Sequence, residues 1–255
     1  MTDANGCARS EILSRLRATC QRQPALFHRG PVATPRTGPP AAVTHADGDG
    51  KALARLFGRK LEAISGSYEI VESPAEVGER VKRRVLDWDV AAEDRKAEAG
   101  SRTVRILSWV PEALPIPNLE VALREAGIEL IAPADLRDRD TRRSAASIEI
   151  GLTGVEAAFA ATGSLAFACA PGKSRASSLL PLRHIAIVPY SRIQPTPEAW
   201  LSELRASGRL DAVLRQSRQL VFVTGPSKSA DIELNLTLGV HGPRNVHAVL
   251  FDDSR

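Results

Sequence analysis

What constrains this chain most is the regular exchange of helical and strand patterns between residues 50 and 133. "KALARLFGRKLEAI" reads as an amphipathic helix, "YEIVE" as a strand, and "SPAEVGERVKRRVLDW" as a helix with Ser73 at its cap and Pro74 in its first turn. "TVRILSWV" follows as a strand, "NLEVALREAG" as a helix stopped by Gly127, and "IELIAP" as the next strand. Strands that recur after intervening helices are joined most simply by right-handed crossovers. The order therefore predicts an α/β fold, three layers deep, with a largely parallel sheet between helices.

The flanks differ. Residues 8–20, "ARSEILSRLRATC", place Ile12, Leu13 and Leu16 at helical spacing behind Ser10 as a candidate N-cap, predicting a short docking helix. "PALFHRGPVATPRTGPPAAVTHADGDG" is too rich in Pro, Gly and Thr to sustain a regular element. Residues 1–49 are thus an N-terminal helix and arm, and residues 50–255 a single α/β domain. In the second half "SLAFACA", "HIAIVP" and "QLVFVTG" read as strands, and "SRASSLLP" as a short helix or turn. "TPEAWLSELRAS" reads as a helix with Thr196 at its cap.

Several function classes lose their basis here. The net charge is +4, but basic and acidic residues are interleaved and aromatic residues make up only 4% of the chain, so no nucleic-acid surface is expected. No apolar run reaches membrane-spanning length and no secretion signal opens the chain, which predicts a cytoplasmic protein. Cys7, Cys20 and Cys169 form no CxxC, and the five histidines fit no ligand spacing. We expect no metal and no cofactor of the chain's own; a redox centre would come from another chain.

Familiar catalytic and phosphate-binding motifs are also missing. "PGKS" at 171–174 resembles the end of a phosphate-binding loop, but Phe167 stands where that loop needs its first glycine. There is no GxGxxG after a strand and no GxSxG elbow. Four small-residue turns remain, "GLTG", "ATGS", "APGKSRAS" and "TGPSKSAD". At the carboxyl ends of strands such turns bring backbone N–H groups and hydroxyls close to an anion. They nominate Thr153, Gly154, Thr162, Gly163, Ser164, Gly172, Lys173, Arg175, Ser227, Ser229 and Asp231 as ligand-binding residues in one pocket for a small anion. The plainer alternative is that small residues only permit tight turns.

Asp231 and Glu233 share a face if the backbone is a strand and diverge if it is a helix. Asp231 is placed to cap a helix over "IELNLTLG", whereas Glu233 would need a partner such as His241, Arg175 or Arg244 if buried. His241 sits in a Gly-Pro turn that can present its imidazole, so Glu233 and His241 are the acid/base candidates. His184 opens a strand, and His247, inside the last one, reads as structural.

The segments "GLTGVEAAFAATGSLAF", "GKSRASSLLPLRHIAIVP", "SRIQPTPEAW" and "TGPSKSADIELNLTLGVHGPRNVHAVL" together resemble the LUD domain of the lactate utilization protein C family. The resemblance is strongest from Gly151 to Leu250. It implies a fold similar to the 5-formyltetrahydrofolate cyclo-ligase and CoA-transferase superfamily. It further implies an accessory or regulatory part in oxidizing L-lactate to pyruvate, beside iron-sulfur partner subunits, and leaves a homo-oligomer open. The chain departs from the family at Ala161, where an acid usually precedes the "TG"; a reaction that needs that acid is not open to it. The alternative is an enzyme of acyl or phosphoryl transfer acting on a small carboxylate.

Overall fold

The structure is a computed structural model and describes residues 4–22, 46–93, 103–230 and 236–254. The chain divides into two compact units, Met1–Pro40 and Ala41–Arg255. The first contains helix α1 (Ala4–Arg22), in which Ile12, Leu13 and Leu16 are exposed. This helix starts six residues before Ser10, which is therefore an interior residue and not an N-cap. Most of the Pro-rich arm lies outside the described residues. No described helix is long and apolar enough to cross a membrane.

In the second unit the elements in chain order are α2 (Gly50–Ala63), β1 (Ser67–Val71), α3 (Pro74–Glu93), β2 (Val104–Ser108), α4 (Leu119–Glu125), β3 (Ile128–Ile131), α5 (Arg139–Ala146), β4 (Ile150–Thr153), β5 (Ala157–Phe159) and β6 (Ser164–Cys169). They continue as α6 (Ala176–Leu179), β7 (Arg183–Pro189), β8 (Ile193–Gln194), α7 (Pro197–Ala206), α8 (Leu210–Gln216), β9 (Gln219–Val223), β10 (Lys228–Ala230), β11 (Leu236–Leu238) and β12 (Asn245–Phe251). Local chemistry accounts for many of the boundaries. Asp49 caps α2 by accepting the Ala52 N–H at 2.8 Å, and Thr196 caps α7 by accepting that of Ala199 at 3.1 Å. Gly127, at φ +72°, ends α4 as its sequence position predicts.

Six strands form one sheet in the order β1-β12-β7-β4-β2-β3, and every pair in it is parallel. β4 and β7 are buried along their whole length, as strands covered on both faces must be. Helices α3 and α4 pack together over one face. On the other face α2 lies against β1, α6 against β4, and α5 with α6 against Leu107.

The second half adds a sheet whose pairing the strand patterns left open. β6 and β9 do not join the parallel sheet but form a separate one, β8-β5-β6-β9, in which β6 runs antiparallel to both neighbours. The four-residue connection from Phe159 to Ser164 allows only a hairpin, since a parallel return needs a dozen residues or more. Alternation then gives this sheet two apolar faces. Ala158, Leu165 and Phe167 join the main core, while Ala157, Phe159 and Ala166 pack on Trp200 and Leu204 of α7. One correction concerns "IELNLTLG": residues 236–238 are strand β11, antiparallel to β10, so no helix runs through them. The residues at 231–235, Asp231 and Glu233 among them, lie outside the described residues.

Candidate functional site

In a parallel sheet, ligands gather where connections from adjacent strands leave in opposite directions. Here that point falls between β2, whose chain continues to β3 on one side, and β4, whose chain reaches β7 on the other. It is filled by protein. Trp109 is buried, and a Cβ on Gly154 would meet Pro115 at 3.1 Å and the Trp109 ring at 3.3 Å. Gly154 therefore admits an indole, not an anion.

The open space lies one strand further along, at the carboxyl ends of β2 and β3, as a crevice of about 810 Å³. It is lined by Ser108 and Val110, by residues 132–137, and by residues 169–175 with Arg218 and Gln219. The turn at 170–173 is built by Pro171 and Gly172, with the Lys173 N–H donating to the Ala170 carbonyl at 2.9 Å. Gly172 has φ +77°, the value that position i+2 of a type II turn demands. Its carbonyl accepts the Val110 N–H at 2.9 Å, which ties the turn to β2.

Charge in the crevice is one-sided. Asp135 is engaged by Arg137, through the backbone N–H at 2.8 Å and Nε at 3.1 Å, and these bonds hold its carboxyl below the usual range. Lys173 Nζ sits 5.5 Å from the Trp109 ring centroid. Arg175 Nη1 donates to Gln219 Oε1 at 3.3 Å, a neutral acceptor. Arg218 joins them because its N–H donates to the Cys169 carbonyl at 2.7 Å. Burial pushes the Cys169 thiol pKa up, and nearby Arg175 opposes that shift.

The four predicted turns do not line one pocket. Thr162, Gly163 and Ser164 stand at the start of β6, whereas Gly172, Lys173 and Arg175 follow its end. The six-residue strand between them spans roughly 17 Å. At the starting end the hydroxyls form a chain, Thr162 Oγ1 donating to Ser164 Oγ at 2.8 Å and Ser164 Oγ lying 2.9 Å from Thr224 Oγ1. Gly163 allows contact with α2: a Cβ there would lie 2.5 Å from the Leu61 nitrogen.

Ser227 and His241 do come together, the His241 N–H donating to Ser227 Oγ at 3.3 Å. His241 is exposed, as is Arg244, whose N–H donates to the Leu182 carbonyl at 2.7 Å. Arg175 is held at the opposite end of β9 from this hairpin, so it does not meet Ser227 or His241. Ser229 lies in β10, paired with Thr237. Thr153 is fully buried, its Oγ1 2.9 Å from His184 Nε2. Burial lowers the His184 pKa to about 3. His247 is structural in its contacts: Nδ1 lies 2.8 Å from Ser67 Oγ and its ring meets Trp88 edge-on. Burial, and secondarily Arg84, lower its pKa to about 4 against the pull of Glu69.

Sequence reasoning missed Arg218, the lining at 132–137 and Trp109. "SWVP" directly after a strand was the available signal for the lining at Ser108 and Val110; Arg218 offered none, because it enters only through the β6–β9 pairing.

Comparison with known proteins agrees with this architecture. A DUF162 family protein from Deinococcus radiodurans superposes with a TM-score of 0.53 at 19% identity, covering 80% of this chain and 99% of that one. Lactate utilization protein C of Exiguobacterium sp. is 42% identical over 113 residues, 44% of this chain and 48% of that protein. The protein of the same name from Bacillus licheniformis is 38% identical over 167 residues, 64% and 62% of the two chains. The chain thus spans about half the length of the first of these curated relatives and less than two thirds of the second. The LUD domain family model matches residues 54–251. That span runs from α2 to the last residue of β12 and takes in all three sheets and the crevice: the chain belongs to the LUD domain family.

Proposed function

We propose that this chain is a cytoplasmic accessory component of L-lactate utilization, acting beside iron-sulfur partner proteins that oxidize L-lactate to pyruvate, and that its crevice accepts an anion. The pathway part is supported by the relatives named Lactate utilization protein C. The anion part is carried by one observation. Lys173, Arg175 and Arg218 meet at one end of the β6–β9 pair, and Asp135, the one carboxylate among the described residues of the lining, is already bound to Arg137. Clustered cations without a counter-charge raise the free energy of the empty site, and an anion relieves it.

Deleting the gene should impair growth on L-lactate. Growth equal to the parent, in a strain with no second lactate-oxidizing system, overturns the pathway. Affinity capture of the tagged chain should bring down iron-containing partners; capture without iron removes that association. Calorimetry with L-lactate and pyruvate, repeated on Arg175→Gln, reads the crevice directly.

A further inference from the structure

The crevice is large for a three-carbon acid. Its volume of about 810 Å³ lies near the upper end of the 300–1,000 Å³ typical of cofactor-sized ligands, so such an acid would leave most of it to water. Its lining is chemically mixed. Val110, Ala132, Pro133 and Ala134 are apolar parts of the lining, while Lys173, Arg175 and Arg218 are cationic parts of it. With Arg137 set against Asp135, the described residues of the lining carry a net charge of +3. A single carboxylate would neutralise one of these charges.

The cations are also held to one place. Lys173 extends from a type II turn fastened to Val110, and the Trp109 ring beneath it is anchored by its Nε1–H donating to the Ser174 carbonyl at 3.3 Å. Arg218 and Gln219 face that turn because Gln219 pairs with Cys169, and Gln219 in turn receives Arg175. Two separate stretches of chain, 173–175 and 218–219, thus bring cations together in the lining, while Ala132, Pro133 and Ala134 add apolar surface to it.

We propose that the crevice takes a nucleoside diphosphate, its diphosphate on Lys173, Arg175 and Arg218 and its nucleoside along Val110, Ala132, Pro133 and Ala134. A phosphate monoester carries about −1.5 to −2 near neutral pH, and the bridging phosphate adds roughly one more charge, which matches the lining. Arginine supplies paired donors suited to phosphate oxygens, and lysine a point charge. This rests on the anion-accepting reading of the same crevice and specifies which anion.

The test is calorimetry on the full chain at low ionic strength, where exposed charges are least screened. The probes are ADP, AMP, inorganic pyrophosphate, L-lactate and pyruvate. ADP should bind at least tenfold more tightly than AMP and more tightly than pyrophosphate. Lys173→Gln and Arg218→Gln should each weaken ADP several-fold, with unchanged circular dichroism, while Arg124→Gln on α4 should leave it unaltered. ADP no tighter than AMP overturns the diphosphate, pyrophosphate as tight as ADP overturns the nucleoside contact, and full ADP affinity in both crevice variants overturns the location. Lactate or pyruvate binding without ADP binding removes this inference and leaves the broader reading standing; no binding by any probe removes both.

Discussion

Thr153 Oγ1 and His184 Nε2 lie 2.9 Å apart on adjacent parallel strands, in side chains with no solvent exposure. The other ring nitrogen of His184 has no hydrogen-bond partner among the described residues. The single bond to Thr153 is therefore what satisfies this imidazole in the core, and Phe167 closes over it edge-on with ring centroids 5.6 Å apart. Thr153→Val preserves shape and removes the bond, leaving His184 unsatisfied at both nitrogens. Unfolding in urea should show a loss of about 1–3 kcal/mol, and Thr153→Ser should retain most of the stability. Equal stability of the valine variant would mean the bond contributes nothing.

Acid should unfold this protein through its histidines. His184 and His247 have folded pKa values of about 3 and about 4, both below the ordinary imidazole value of 6.5 and both chiefly because burial disfavours the charged ring. Between these limits the unfolded chain binds more protons than the folded one. Their contribution is thus complete above pH 6.5 and is lost as pH falls, by about 1.4 kcal/mol per pH unit for each ring. Denaturation midpoints measured from pH 7 to 4.5 should fall with a slope near two protons, and His247→Gln should lower it to about one. A pH-independent midpoint over that range contradicts both assignments.

Gly151 lets α6 lie flush on the sheet. A Cβ there would stand 2.0 Å from the Ser177 carbonyl oxygen and 3.0 Å from Pro181. Backbone cannot give way cheaply, so Gly151→Ala should destabilise by about 1–3 kcal/mol or more, seen as a lowered Tm. Gly208→Ala tests a different effect: nothing lies within 4 Å, and only its φ of +69° resists the change, for about 1–2 kcal/mol.

The two ends of β6 should separate experimentally. Gly172→Ala strains a left-handed residue and pushes its Cβ to 2.7 Å from Val110 Cγ2, displacing the turn that carries Lys173. Anion affinity should drop several-fold, and Val110→Ala in addition should restore part of it by removing the clash. Ser164→Ala, at the other end, breaks the hydroxyl chain and should cost about 1 kcal/mol of stability while leaving anion affinity unchanged. Calorimetry on the three variants decides this, and an affinity loss in Ser164→Ala would return that turn to the binding site.

Much of the fold was legible where one local pattern had one outcome. The buried face of α2, Leu53, Ala54, Phe57, Gly58 and Leu61, follows helical spacing, and Thr196 and Gly127 mark ends that backbone chemistry imposes. The site was less legible. Lys173 and Arg175 were found from a glycine turn at a strand end, but Gly154 and Gly163 looked the same and serve packing against Trp109 and α2. A glycine shows that something approaches closely; its partner is not encoded nearby.

The sequence by itself determined the parallel core, because covered strands need continuous apolar runs and crossovers need helices between them. Only the tertiary structure decided that β6 and β9 leave that sheet to form a second one, which sets the "ATGS" and "APGKSRAS" turns at opposite ends of a strand. The physical reason lies in pairing. Strand partners and register depend on contacts between residues far apart in the chain, such as Cys169 with Gln219, and it is this pairing that carries Arg218 to Lys173 and Arg175.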